Sequence, residues 1–346
     1  MKLNDISILK NGKKCKYDED GQIPIYGSNG VIGYTDKSNS RKNSIVIGRV
    51  GANAGSVFFS SQDHWVSDNA ISVTPDTDKV NPHYLYYVLV KLNLNRLVEG
   101  SAQPLLNQSI LNSFEIKIPD IQTQNKVVER INVFDKKIVL NKKINDNLLE
   151  LANIIFTNRI TKETVQLSNI ATIQNGYAFK SKEYVLQKQL LILRTKNIGD
   201  NHLFNKSDVV FINQDSFNEY KKFAFKQFDT VLVMVGASIG KTGFITSNVL
   251  PSLQNQNMWR FRAKDSNIPG LLIYEYVNYI NKRVKGSASG SARSFYRKKL
   301  FSDFEVPIID NNVFTLFERI QLQINNIQVE NNILSKLKQE LLNKYF

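Results

Sequence analysis

Gly236-Ala237-Ser238-Ile239-Gly240-Lys241-Thr242 has the composition of a phosphate-binding loop. Such a loop needs four residues between its glycines, so that successive backbone N–H groups wrap the phosphates. Here three residues separate Gly236 from Gly240, and the similar stretch Gly51-Ala52-Asn53-Ala54-Gly55-Ser56 has no lysine. Both read instead as a strand followed by a glycine-rich turn that presents Asn53, Ser238 and Lys241 at a surface. Asn81-Pro82-His83-Tyr84 lies one residue away from the Asn-Pro-Pro-Tyr signature of amino-methyltransferases. No glycine-rich turn leading from a strand into a helix, of the kind that holds a methyl donor, precedes it. With Asn as N-cap and Pro at N1 it reads as a helix start, and a cap also accounts for Asn267-Ile268-Pro269-Gly270. Glu115-Ile116-Lys117, with Asp68 upstream, imitates the carboxylate-plus-lysine core of a Mg²⁺ nuclease. The matching Asp303-Phe304-Glu305 has no lysine, so a strand with alternating faces is the better reading. One cysteine, Cys15, and three scattered histidines, His64, His83 and His202, argue against a zinc site and exclude an internal disulfide. No catalytic constellation and no metal site are expected.

The basic stretches carry more information. Lys282, Arg283, Lys285, Arg293, Arg297, Lys298 and Lys299 fall within one run that has no acidic residue and is interleaved with serines and glycines. A one-sign loop carrying hydroxyls suits phosphate oxygens, with arginine available for guanine edges. The quieter stretch Gly100, Ser101, Gln103, Asn107 and Gln108 offers amides that either read adenine or cap a turn. Arg194-Thr195-Lys196-Asn197 follows the strand-like Leu190–Leu193 and reads as another exposed polar tip. The whole chain of 346 residues carries a formal charge of +14, which predicts an anionic partner, nucleic acid or an acidic surface. Hydrophobic residues at 42% and charged residues at 22% are ordinary for a folded protein. No apolar run approaches the ~18 residues that span a bilayer, so a cytoplasmic protein is expected.

The elements that position these residues occur twice. Leu3-Asn4-Asp5-Ile6…Asn11-Gly12 is matched by Leu167-Ser168-Asn169-Ile170…Asn175-Gly176, and Val50–Gly55 by Val235–Gly240. Gly100-Ser101-Ala102 returns as Gly286-Ser287-Ala288, Ile116–Pro119 as Phe304–Pro307, and Glu129-Arg130-Ile131 as Glu318-Arg319-Ile320. Five matches in one order make two copies of one unit, about 1–160 and 161–346. The second copy has an insertion of about 21 residues between Gly176 and Val235, because the offset rises from 164 to 185. In each copy, short β-branched runs (Ser44–Val50, Thr230–Val235) read as buried strands. A long helix then follows Pro119 or Pro307. Val127, Ile131, Phe134 and Ile138, then Ile144, Leu148, Leu151 and Ile155, form the first apolar stripe. Val313, Phe317, Ile320, Ile324 and Ile327, then Leu334, Leu337 and Leu341, form the second. Neither stripe is stable in water, so the two helices are expected to pair, antiparallel.

The order unit–helix–unit–helix resembles the specificity subunits of type I restriction–modification systems. The opening segments at Leu3–Gly12 and Leu167–Gly176, the glycine turns, and the Pro119 and Pro307 exits into Glu-Arg-Ile helices carry the resemblance. It implies an α+β fold with two pseudo-repeated mixed target-recognition domains, 1–119 and 161–307, separated by two long antiparallel coiled-coil-like spacer helices, 120–160 and 308–346. It implies a non-catalytic subunit that recognises an asymmetric bipartite target in double-stranded DNA. The helices would set the gap and dock two modification (methyltransferase) subunits, with restriction subunits joining through the complex. No cofactor of its own is implied; the partner subunits would use S-adenosylmethionine, ATP and Mg²⁺. The first unit's Ile23–Gly30 and the second unit's Gly176-Tyr177-Ala178-Phe179-Lys180 open differently, so the half-sites should differ. The DNA contacts expected are Arg49, Asn53, Asn69 and Gln103 in the first unit. In the second they are Lys180, Arg194, Lys196, Ser238, Lys241, Asn257, Arg293 and Arg297. A self-contained nuclease or methyltransferase, and a coiled-coil scaffold whose globular ends bind protein, are the competing readings.

Overall fold

A computed structural model describes residues 1–98, 105–186, 189–206, 208–285 and 295–346. The chain divides into two compact units, residues 1–136 with 336–346, and residues 137–335.

The first unit opens with α1 (Leu3–Ile6) and β1 (Ser7–Asn11), then β2 (Ile23–Gly27), β3 (Gly30–Thr35), β4 (Ser44–Gly48), β5 (Val57–Ser60), β6 (Trp65–Val66) and β7 (Ala70–Pro75). One antiparallel sheet has the order β1-β7-β4-β5. Its centre is β4, in which every residue is buried, as the β-branched run Ile45-Val46-Ile47 requires of a strand covered on both faces. A second sheet, β3-β2-β6, pairs β2 with β6 in parallel. Next comes α2 (Pro82–Lys91). Asn81 caps it through its side-chain oxygen, which accepts from the N–H groups of His83 at 2.9 Å and Tyr84 at 3.2 Å. The Asn-Pro-His-Tyr segment is thus a helix cap. Leu85 and Leu89 pack on Ile45, Ile47, Ile71 and Val73, and Val127, Val128 and Ile131 complete the core. A short α3 (Gln108–Ser113) leads to the long α4 (Ile121–Asn158). In this unit α4 meets the last helix, α9, through Arg130 with Tyr345 at 2.6 Å and Asp135 with Lys338 at 2.6 Å, an antiparallel pairing.

The second unit repeats the plan. After β8 (Ile160–Gln166) come α5 (Leu167–Ile170) and β9 (Ala171–Asn175), then β10 (Leu190–Leu193), β11 (Val210–Ile212), α6 (Phe217–Tyr220), β12 (Thr230–Val233), β13 (Thr242–Phe244), β14 (Ser252–Gln254) and β15 (Met258–Ala263). The sheet order β9-β15-β12-β13 reproduces that of the first unit strand for strand, and β11-β10-β14 again holds a parallel pair. Helix α7 (Gly270–Val284) starts without a side-chain cap. The expected cap at Asn267 is therefore absent. Instead Gly270 lets the helix start against Phe228, whose carbonyl oxygen would lie 2.4 Å from a Cβ there. Then α8 (Lys298–Ser302), β16 (Glu305–Ile309) and α9 (Phe314–Tyr345) complete the chain.

The insertion is split. A two-residue turn, Ser28–Asn29, joins β2 to β3, whereas residues 194–209 join β10 to β11, and the next connection, 213–229, is also longer than its counterpart 36–43.

The inward face of α4 also differs from the expected stripe. Asn141, Asn145, Leu149, Ala152 and Phe156 are buried, whereas Leu151 is 44% exposed and Ile144, Leu148 and Ile155 are half-buried. Gln124, Ile131, Ile138, Asn145 and Ala152 recur at seven-residue steps, so the heptad phase runs on through the asparagines. The stripe Ile144–Ile155 is a second apolar face. No helix among the described residues is long and apolar enough to cross a membrane.

Candidate functional site

In the first unit the glycine turn after β4 is built on backbone positions that only glycine adopts readily. Gly51 and Gly55 have φ of +72° and +88°. The Gly55 N–H donates to Gly48 O at 2.8 Å, which closes the turn and leaves Ala52 and Asn53 exposed at its tip. Behind the turn, Arg49 N–H donates to Asn69 O at 2.9 Å and Leu106 N–H donates to Arg49 O at 2.8 Å. Ser28 joins these strands. Its hydroxyl donates to Asn69 O at 2.6 Å and accepts from Arg49 and Val50 N–H, both at 3.2 Å. Arg49, Asn53 and Asn69 therefore gather around one turn.

The second unit repeats the arrangement. Gly236 and Gly240 have φ of +89° and +83°, and Gly240 N–H donates to Val233 O at 2.9 Å. Met234 N–H donates to the carbonyl of Asn257, itself left-handed at φ +71°, at 3.1 Å. Tyr296 N–H donates to Met234 O at 2.9 Å, as Leu106 does to Arg49. The Tyr296 hydroxyl donates to Asn281, whose amide donates to Gly240 O at 2.8 Å, so the turn is braced from below. Ser238 and Asn257 thus occupy places equivalent to those of Asn53 and Asn69, and Lys241 the place of Ser56. Lys241 N–H donates to Ser238 O at 3.0 Å, and Lys241 is followed at once by β13, so the stretch is a strand–turn–strand and not a phosphate-binding loop before a helix.

The other expected contacts are held differently. Arg194 and Lys196 both pair with Asp208, and the Lys196 ammonium holds the Asp208 carboxyl below the usual carboxylate range. Lys241 Nζ lies 3.1 Å from Asp200. Both carboxylates lie in the connection 194–209, so these three cations are ion-paired and not the free tips that the polar sequence suggests. Lys180 is exposed, and its N–H donates to Glu183 at 2.7 Å. Arg297 is exposed at the N-cap of α8, next to Tyr296. Gln103 and Arg293 lie outside the described residues, as do Gly100, Ser101 and Gly286–Ser294. Within the basic run, Arg283 stacks on Tyr279 with its guanidinium carbon 3.4 Å from the ring centroid. Lys282 and Arg283 sit in the last turn of α7, where cations are favoured. The residues that composition did not reveal are Ser28, Asn281, Asp200 and Asp208. Their partners are distant in sequence, so only the paired Asn-Gly and Val-Gly-Ala signals pointed to the turns they support.

A family model described as Type I restriction modification DNA specificity domain matches residues 1–150 and again residues 160–339. The chain is 22% identical to the Type I restriction enzyme MjaVIII specificity subunit of Methanocaldococcus jannaschii, over 87% of its own length and 78% of that protein's. It is 29% identical to the Type I restriction enzyme EcoprrI specificity subunit of Escherichia coli, over 32% of this chain and 28% of that one. Among solved structures, the S subunit of the type I restriction-modification system from M. genitalium shares its fold. That similarity covers 100% of this chain and 95% of the other, with a TM-score of 0.58 and 17% identity.

Proposed function

Because the chain belongs to the type I restriction modification DNA specificity family, we propose that it supplies a restriction–modification complex with the sequence of its DNA target and leaves the chemistry to partner subunits. It is a non-catalytic, DNA-binding specificity subunit with two target-recognition domains. The observation that carries the reading is the repeat itself. Two units share one strand order, yet differ in the connections that flank the glycine turns. A common scaffold with divergent surface loops is how one fold reads two different sequences.

In this reading residues 1–119 and 161–307 each read one half of an asymmetric bipartite target. Residues 120–160 and 308–346 set the unread gap. Arg49, Asn53 and Asn69, with Gln103, face the first half-site. Ser238, Lys241, Asn257 and Arg297, with Lys180, Arg194, Lys196 and Arg293, face the second. Asp200 and Asp208 hold the cations in place until phosphate oxygens replace them. The complex works in the cytoplasm with two modification subunits, docked on apolar residues that the helices leave in water. These include Val133, 63% exposed, Leu140, Ile154, Leu322 and Ile333. Restriction subunits join through that complex.

Incubation of the purified chain with DNA, Mg²⁺ and S-adenosylmethionine is expected to give neither cleavage nor methyl transfer, and addition of the modification subunits is expected to give sequence-specific methylation. Cleavage or methylation by the chain alone would return the nuclease or methyltransferase reading.

A further inference from the structure

The connection from β3 to β4 and the end of β1 border an open groove of about 610 Å³ in the first unit. Lys10, Lys13 and Arg41 line it, together with the hydroxyls of Ser38, Ser40 and Ser72, and no carboxylate does. All three cations are exposed, and none has an ion-pair partner among the described residues. The backbone that carries them is fixed. Gly12 N–H donates to Ala70 O at 3.0 Å and Lys13 N–H to Val66 O at 2.9 Å. On the other wall, Asn39 donates to Val66 O at 2.9 Å and accepts from Val66 N–H at 2.7 Å, while Ser40 exchanges two backbone hydrogen bonds of 3.0 Å with His64. The Ser40 and Ser72 hydroxyls meet at 3.0 Å across the floor.

The second unit shows that the scaffold does not require these charges. Lys10 and Lys13 correspond to Gln174 and Tyr177. There Tyr177 packs against Phe179, Tyr220 and Phe223 at 4.9 to 5.2 Å between ring centroids. Tyr220 and Phe223 come from the connection that replaces Ser38–Arg41. An aromatic cluster therefore stands in the second unit at the place of Lys13, and the arginines that replace Ser72 and Thr74, Arg260 and Arg262, are paired there with Asp229.

From this we infer that the groove is a contact site for the phosphodiester backbone of duplex DNA, peculiar to the first unit. The inference rests on the reading of the chain as a DNA-specificity subunit. The chemistry fits phosphate oxygens, which accept from lysine, arginine and serine alike. Asn39 adds no base readout there, because both polar atoms of its amide are used by Val66. The backbone ties the groove to the glycine-turn site. Gly12 is hydrogen-bonded to Ala70, and the preceding Asn69 carbonyl accepts from Arg49.

The test uses the full chain assembled with its modification subunits and carrying Lys10→Gln, Lys13→Gln and Arg41→Gln together. Affinity for the target duplex and for a scrambled duplex is measured from 50 to 200 mM salt. Each lost phosphate contact flattens the log–log salt slope by about 0.9, so three should flatten it by roughly 2.7. Across that fourfold rise in salt, the unaltered complex then loses roughly 40-fold more affinity than the variant. Both duplexes shift alike, the methylated sequence stays the same, and Lys10→Arg, Lys13→Arg and Arg41→Lys restore the slope. An unchanged slope overturns the assignment. Loss of the modification subunits with an unchanged DNA slope also overturns it and gives the groove to an acidic protein surface. If the unaltered complex bound target and scrambled duplexes equally, the specificity reading would fail, while the slope would still decide the groove.

Discussion

Gly12 and Gly176 occupy the same place in the two units, at the end of the first strand of each main sheet. A Cβ on Gly12 would lie 2.0 Å from Ser67 O, and one on Gly176 would lie 1.8 Å from Asn255 O. Backbone cannot yield as a side-chain tip can, so Gly12→Ala and Gly176→Ala should each lower stability by about 2–4 kcal/mol. Gly51 and Gly236 differ, because nothing lies within 4 Å of their added Cβ and only the positive φ resists a side chain. Gly51→Ala and Gly236→Ala should cost about 1–2 kcal/mol each. Denaturant unfolding of the four full-length variants checks this, and equal losses in both pairs would contradict it. The sequence displays these glycines as matched pairs, but for Gly12 and Gly176 the reason comes from chain far away in sequence. The same distance hid Ser28, Asp200 and Asp208, whose partners lie elsewhere in the chain. Asn53, Ser238 and Lys241 were legible because a glycine turn after a strand marks its tip locally.

At the scale of elements, the strands and helices were legible where local pattern decides them. The buried run Ile45–Ile47 is a central strand and Asn81-Pro82 is a helix start. The helix faces were less so. Following apolar residues alone leads to Ile144, Leu148, Leu151 and Ile155, whereas the heptad phase set by Gln124, Ile131 and Ile138 buries Asn145 and Ala152. Hydrophobicity could not show this, because α4 is apolar on two faces beyond Asn145 while its inward face there is partly polar. Asn141 donates to Glu330 at 2.7 Å and to Asn331 at 2.8 Å, so the pairing register is polar at that level. A seven-residue insertion after Lys143, matched by one after Asn332, keeps both phases. It should lengthen the helix pair by roughly 10 Å and the unread gap by about three base pairs at 3.4 Å each, with both half-sites unchanged. Methylated-site mapping of the altered complex reads the gap, and a changed half-site would remove the helices from the role of ruler.

Helix α7 adds a pH dependence. Burial pushes the Glu275 carboxyl from 4.5 up to about 7, against the pull of the Asn153 amide, which donates to it at 2.8 Å. The folded chain therefore binds this proton more tightly than the unfolded one. The contribution of Glu275 to stability is largest below about pH 4.5, falls as pH rises toward 7, and is level above that. Glu275→Gln should flatten that fall and raise stability at pH 8 by on the order of 2–3 kcal/mol. A pH series of denaturant midpoints in which the variant tracks the unaltered chain would show that Glu275 is not buried as described.

At the scale of the whole molecule, the +14 charge and the repeat acquire a common meaning. The two units share a strand order and a pair of glycine turns, so the repeat was legible from five short matches in one order. What differs between the units was not legible from those matches. The first keeps a cationic groove where the second packs Tyr177, Phe179, Tyr220 and Phe223, and the second holds its cations against Asp200 and Asp208. In the function proposed above, two non-identical readers joined by helices would specify two non-identical half-sites at a set separation. The most direct measurement is the methylome of a strain that expresses this chain with its modification subunits. One asymmetric motif of two unlike halves around an unread gap is expected, lost entirely when this chain is deleted. A contiguous or palindromic motif, or methylation that persists without the chain, would contradict it.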